Sequence, residues 1–332
     1  MKIGIDTFSF HINQAAGDYD VFATLDLLEQ WGLQGLQINI NGPNGRFLGG
    51  DPADRRHVQK VRRAIESRGF FVEVGGSGTC LERLEPQLRL AAALGADVLR
   101  TLLVFRESAA GTFERTRDEM QAVLPLAREL GVRLAFENHE DVKAAELRTF
   151  LDGMEDPFVG ACLDTGNDLV VYGDPMEAAV LLAPRAISTH IKDQKLIRVG
   201  EAVYSVGVPL GTGDLPLRNQ LKEILGTGSL DRLLLQDTTG YSSRLNRFDR
   251  ADLSPVSDYA GIPCFPDRDS AAAAGYLMGL EGLSVDRLRE EAHRQHERIA
   301  EDIRNLRFWL EAAGKHDEGG SDRTDHDLYQ SR

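Results

Sequence analysis

The most chemically loaded stretch of the chain is VRLAFENHED, residues 132–141. Val132, Leu134 and Phe136 alternate with Arg133, Ala135 and Glu137, the period of a strand. The run then ends in Glu137, His139, Glu140 and Asp141. Ionised groups at the end of a buried strand are costly unless paired or bound to a cation. Glu137 is therefore the expected centre of an active site, and the question is whether partners recur at other strand ends.

They do. An apolar run at 159–163 is followed by Asp164, within CLDTGN; one at 186–191 carries His190 and Lys192, within HIKD; one at 233–236 ends in Gln236 and Asp237; and the first, at 2–6, runs into Asp6 and then His11. An Asp before Thr-Gly-Asn is usually a turn former, and a single His beside a strand is usually just hydrogen-bonded. Three such residues at three successive strand ends are harder to explain that way. Two carboxylates, an imidazole and an amide oxygen form a mostly hard donor set, which suits Mn²⁺, with Mg²⁺ or Co²⁺ as alternatives, better than a Cys-rich structural zinc site.

Side chains from distant segments converge only if the fold brings strand ends together. Further apolar runs lie at 35–40, 70–74, 98–103 and 132–137. Amphipathic helical patterns lie between the runs: Phe22, Leu25, Leu28 and Trp31 share one spacing, 81–94 stops at Gly95, and 112–130 stops at Gly131 with Pro125 as a possible kink. Asp174-Pro175 reads as a cap plus first-turn proline, and another helix opens near Asp214 and Pro216 and ends at Gly226. Strict strand–helix alternation predicts parallel strands with right-handed crossovers, and eight units predict an α/β fold of the (β/α)8 TIM-barrel type. No GxGxxG follows the first strand, which removes the dinucleotide-binding alternative.

After the eighth strand the pattern loosens, and 238–283 reads as an irregular insertion. Ser284 caps a long last helix, 284–313, whose stripe is Val285, Leu288, Ala292, Ile299, Ile303, Leu306 and Leu310, with Gly314 closing it. The expected organisation is one barrel domain over 1–314 and a disordered tail over 315–332.

Of 332 residues, 42% are hydrophobic, enough for a large core, and the formal net charge is −14. That charge argues against nucleic acid or an anionic membrane as partner. Cys80, Cys162 and Cys264 form no CxxC pair and read as free thiols of a reducing compartment. The N-terminus shows no signal-peptide pattern and no run of about 18 apolar residues occurs, so a cytoplasmic location is expected.

In combination, ENHED (137–141), CLDTGN (162–167), HIKD (190–193) and VPLGTGDL (208–215) resemble the xylose isomerase-like TIM-barrel family. That family includes sugar and sugar-phosphate isomerases and epimerases, dehydratases, decarboxylases and C-glycoside-cleaving enzymes. The resemblance covers residues 1–237 and implies that Glu137, Asp164 and His190 are ligands of one divalent metal. The family's fourth ligand is normally a Glu at the end of the eighth strand, where this chain has Gln236.

Gln236 can offer a carbonyl oxygen to a metal, but it cannot accept a proton at neutral pH. A neutral ligand also leaves the metal more positive and a better Lewis acid. The expected activity is therefore a metal-dependent lyase acting on a sugar-derived keto acid or 3-oxo sugar, by decarboxylation or β-elimination through a metal-stabilised enolate. Glu137, His139 and Lys192 are the catalytic candidates, with His11, Asp141 and Tyr241 as substrate contacts. The alternatives are a two-base sugar isomerase or epimerase, and the catalytic subunit of a hetero-oligomeric sugar-processing complex; a homo-oligomer is also compatible. A trinuclear zinc nuclease is disfavoured by the charge and the scarcity of strand-end His. No Gly-rich or Arg-rich phosphate clamp is evident, which favours an unphosphorylated sugar acid.

Overall fold

The computed structural model describes residues 1–41, 43–105, 108–255 and 257–317. Its strands are β1 (Lys2–Asp6), β2 (Gly35–Asn39), β3 (Phe71–Gly75), β4 (Val98–Thr101), β5 (Arg133–Glu137), β6 (Val159–Asp164) and β7 (Ala186–His190), then β8 (Asp193–Val199), β9 (Ala202–Val208), β10 (Arg232–Leu235), β11 (Ser242–Arg244) and β12 (Cys264–Phe265). An eight-stranded sheet runs in the order β10-β1-β2-β3-β4-β5-β6-β7, with every ladder parallel. Closure comes from β7 against β10: Ile191 bridges Leu235, and Ile191 N donates to Leu234 O at 2.8 Å. This is the expected TIM barrel.

The helices form where pattern and punctuation agree. Leu81–Leu94 ends at Gly95 with φ 84°, and Ala109–Leu130 ends at Gly131 with φ 68°, left-handed stops that favour glycine. Pro125 lies inside the second of these helices, which continues through it. Asp174 caps Pro175–Leu182 by accepting from Met176 N at 2.8 Å. The main apolar core fills the layer between helices and strands, with Leu25, Leu28, Leu36, Ile38, Val61, Ile65 and Phe136 among its buried members.

Three expectations need correction. Strict alternation breaks after β7, where an antiparallel hairpin, β8–β9, precedes the helix Leu217–Gly226. The hairpin belongs to a second sheet of order β11-β9-β8-β12, so the insertion expected to be irregular supplies two strands and the helix Arg268–Ala273. The last helix spans Val285–Asp317 and passes Gly314 instead of stopping there; an isolated glycine weakens a helix without forcing its end. Residues 315–317 of the expected tail are therefore helical, and 318–332 lie outside the described residues.

The last helix is tied to the barrel's functional end. Its Leu288 and Ala292 pack on Ile12 and Ala16, its Gln295 Nε2 donates to Asp237 Oδ2 at 3.0 Å, and its Asp302 Oδ1 accepts from Leu210 N at 2.8 Å. Val285, expected in the apolar stripe, is 54% exposed, while Trp309 is buried. None of the described helices is long and apolar enough to cross a membrane.

Candidate metal centre and active-site cavity

β5, β6 and β7 end in Glu137, Asp164 and His190, adjacent in the sheet, with Glu137 opposite Cys162 and Asp164 opposite His190. Each offers one donor atom, and these atoms all lie within 4.8 Å of one another. All three residues are buried. The C-terminal mouth of the barrel thus holds the cluster, as the parallel sheet requires.

Local structure fixes each donor. Asn138 Nδ2 donates to Asp164 O at 2.9 Å and its Oδ1 accepts from Asp164 N at 2.8 Å, which locks the ends of β5 and β6 together. Asp164 Oδ1 accepts from Gly166 N and Asn167 N, at 2.8 and 3.0 Å, and so turns Oδ2 toward the cluster. Lys192 Nζ lies 2.9 Å from Oδ2 but off the hydrogen-bonding direction, leaving a buried carboxylate oxygen without a hydrogen bond. An oxygen in that state suits a cation. His190 Nδ1 sits 3.4 Å from Glu137 Oε1 and 3.7 Å from Asp164 Oδ2.

Burial raises the Glu137 carboxyl, yet Arg100 and His190 outweigh it and hold the pKa well below the usual range. Arg100 Nε lies 3.2 Å from Glu137 Oε2, and Asn167 Nδ2 donates to Oε1 at 3.0 Å. Burial opposes a charged His190 ring, but the acidic groups facing it, Cys162, Glu137 and Asp164, push its pKa well above the ordinary value. Two carboxylates and an imidazole gathered this closely could hold a metal ion.

Gln236 follows β10 on the far side of His190. Its Nε2 donates to Asp6 Oδ2 at 2.6 Å, and Asp6 Oδ1 accepts from Phe8 N at 3.2 Å. The same Nε2 lies 3.4 Å from His190 Nδ1, so the NH2 end of Gln236, a donor, faces the cluster, and not the carbonyl oxygen expected as a fourth ligand. Asp237 faces away, toward Gln295, as the strand period predicts.

A cavity of about 210 Å³ opens over the cluster, lined by Glu137, His139, Lys192, Gln236 and Tyr241, and also by Arg46, Arg100, Asn167 and Glu140. Lys192 Nζ donates to Asn167 Oδ1 at 2.7 Å and lies 2.9 Å from Asp164 Oδ2. Asp193 accepts from the amides of Gly211 and Gly213, at 2.8 and 2.9 Å, and shapes the VPLGTGDL turn. Tyr241 OH lies 2.9 Å from both oxygens of Glu140, which also pairs with Arg247. Among the described residues none hydrogen-bonds the half-buried His139 ring, which faces the cavity.

Two expected substrate contacts lie elsewhere. His11 stacks on Phe8 at 4.7 Å between ring centroids, its Nδ1 lies 2.9 Å from Phe8 O, and it is buried behind the cavity wall. Asp141 lines a larger neighbouring cleft of about 1070 Å³, with Phe105, Phe248 and Arg250, beyond Leu102. Leu102 borders both spaces. The short helical turns after β1 set His11 behind the small cavity, and the turn at 139–142 turns Asp141 into the neighbouring cleft at the same end of the barrel.

Comparison with known proteins agrees with this architecture. A family model described as xylose isomerase-like TIM barrel matches residues 25–234. The chain belongs to that family. A curated relative, 3-oxo-isoapionate decarboxylase of Pectobacterium atrosepticum, is 28% identical over 220 residues, covering 64% of this chain and 77% of the relative. An L-ribulose 3-epimerase structure aligns with TM-score 0.64 at 15% identity, covering 98% of this chain and 100% of the other. A further structure, the IOLI protein with a bound zinc atom, aligns with TM-score 0.59 at 14% identity, covering 72% and 89%. At those identities the two structures speak to the fold of this enzyme family member, not to its reaction.

Proposed function

We propose that this protein is a divalent-metal-dependent lyase that decarboxylates a 3-oxo sugar acid. The observation that carries the reading is the inventory of carboxylate bases on the cavity. Two carboxylates line it among the described residues, and Glu140 is engaged by Tyr241 and Arg247, which leaves Glu137. Facing the cluster from β10 is an amide, Gln236, anchored to Asp6. Epimerisation at one carbon calls for a base on each face of the substrate, whereas decarboxylation needs an electron sink and one proton donor.

The lining also suits an anionic substrate. Arg46, Arg100 and Lys192 converge on the same small space, and a carboxylate is the group such side chains bind. The relative at 28% identity is named for decarboxylation of a 3-oxo sugar acid, which supports the same direction. A divalent cation held by Glu137, Asp164 and His190 would supply Lewis acidity for the substrate's oxo group. During the reaction the bond to the carboxylate breaks, CO₂ leaves, and the electron pair moves toward the oxo oxygen. A proton from His139 or Lys192 then reaches the carbon that lost CO₂. Both side chains line the cavity.

The test is to incubate Mn²⁺-loaded protein in D₂O with a panel of 3-oxo sugar acids and ketoses. Release of CO₂ in step with substrate loss, with one deuterium placed in the product, is expected. Epimers formed from ketoses without CO₂ would overturn the decarboxylase reading.

A further inference from the structure

We infer that Gln37 is a positioning residue that dictates which nitrogen of His190 is presented to the metal centre, an inference that rests on the metal-dependent reading above. A chain of hydrogen bonds of fixed direction runs through the barrel interior to His190. Arg232, buried in β10, donates from Nε to Glu73 Oε1 at 2.7 Å. Ser188 Oγ donates to Glu73 Oε2 at 2.6 Å. Arginine carries donors only, so Glu73 acts as the acceptor.

Gln37, in β2, reaches the same Glu73 Oε2 with its amide at 3.2 Å. Only the NH2 end can face an acceptor; the reverse orientation would set two buried acceptors against each other. The carbonyl end, Oε1, therefore faces His190 Nε2, 3.0 Å away. A carbonyl oxygen accepts, so Nε2 must carry a proton. In the neutral ring that a metal would bind, the lone pair is then confined to Nδ1, the atom that lies toward Glu137 Oε1 and Asp164 Oδ2. Four side chains from β10, β3, β2 and β7 thereby convert one fixed arginine into one fixed imidazole tautomer.

The backbone leaves room for this arrangement. A Cβ added at Gly75 would come within 2.9 Å of Gln37 Oε1 and 3.1 Å of Arg100 Nη2, so the glycine keeps open the place of the accepting oxygen. Partners of this kind orient ligating imidazoles and tune their basicity.

The experiment compares Mn²⁺ affinity, measured by titration of free Mn²⁺, in the wild type, Gln37→Met, Gln37→Glu with Glu73→Gln, and Ser188→Ala. Long-range proton–nitrogen correlation of histidine-labelled, Zn²⁺-loaded wild type is recorded alongside. Gln37→Met is expected to weaken binding roughly 10- to 100-fold. Gln37→Glu, made together with Glu73→Gln so that two carboxylates do not face each other, keeps an accepting oxygen toward His190 and should bind within about threefold of wild type or tighter. Ser188→Ala disturbs the same core but leaves the amide direction intact, and should stay within about threefold. The spectrum should show His190 protonated at Nε2 and metal-bound at Nδ1. Wild-type binding through Nε2, or undiminished affinity in Gln37→Met, overturns the inference alone; a wild type that binds no divalent cation overturns the metal-centre reading and the inference with it. Should Gln37→Met fail to fold, the wild-type spectrum and the double variant still decide.

Discussion

Gln236 is matched to a neighbour, which explains more than its neutrality does. Its amide donates to the buried Asp6 carboxylate at 2.6 Å, so a glutamate there would set two carboxylates in contact. Gln236→Glu alone is expected to lower stability by about 1–3 kcal/mol in urea unfolding, because the Asp6 acceptor loses its donor. Adding Asp6→Asn should recover most of that loss, a coupling a double-mutant cycle will read. The double variant should also decarboxylate roughly tenfold more slowly, since the added negative charge lowers Lewis acidity. Separately, Glu137→Gln, Asp164→Asn and His190→Ala should each lose bound metal by elemental analysis, and stoichiometric metal in all three would end the metal-centre proposal. Glu137, Asp164 and His190 were legible in the sequence because each ends an apolar run. Gln37, Glu73, Arg100 and Arg232 were not. They alternate with apolar residues inside strands, a pattern that reads as a solvent-facing side, whereas in a closed barrel that side is the interior.

At the scale of elements, the short helical segment after β1 acts as a base plate under the last helix, and His11 is its titratable member. Burial lowers the His11 pKa from 6.5 to about 4. Between those values the unfolded chain binds a proton that the folded chain does not, so stability is fully present above pH 6.5 and is lost as pH falls toward 4. The loss attributable to His11 is on the order of 3 kcal/mol. Urea unfolding of the wild type and His11→Gln across pH 4 to 7 should show a shallower slope in the variant; equal slopes would remove His11 from the account. The main helices were readable because caps, stops and apolar spacing agree. The β8–β9 hairpin was overlooked although Gly200, with φ 58°, sits at its tip between the paired Val199 and Ala202. Expecting a helix after every strand hid a turn signal that the residues carry.

For the molecule as a whole, three barrel strands supply the three proposed ligands at their ends, so a bound cation stabilises the closed sheet and not merely the site. At 100 times its Kd, Mn²⁺ should add about 2.7 kcal/mol to the folded state, and the melting temperature should rise by several degrees and fall back with a chelator. An unchanged melting curve at saturating Mn²⁺ would contradict that linkage. The barrel itself was legible end to end, since eight alternating units leave few other architectures. The small second sheet was not, because its ladder joins segments that lie on both sides of β10 in the chain.

That last ladder constrains how such an enzyme could be remade. β9 is paired with β8 on one edge and β11 on the other, and Leu210, just after β9, is held by Asp302 of the last helix. Moving the hairpin alone into another barrel would strip it of its edge partner and its anchor. The hairpin, its edge strand β11 and the last helix therefore depend on one another, and a chimera that carries all three should keep this part of the structure where a loop graft would not.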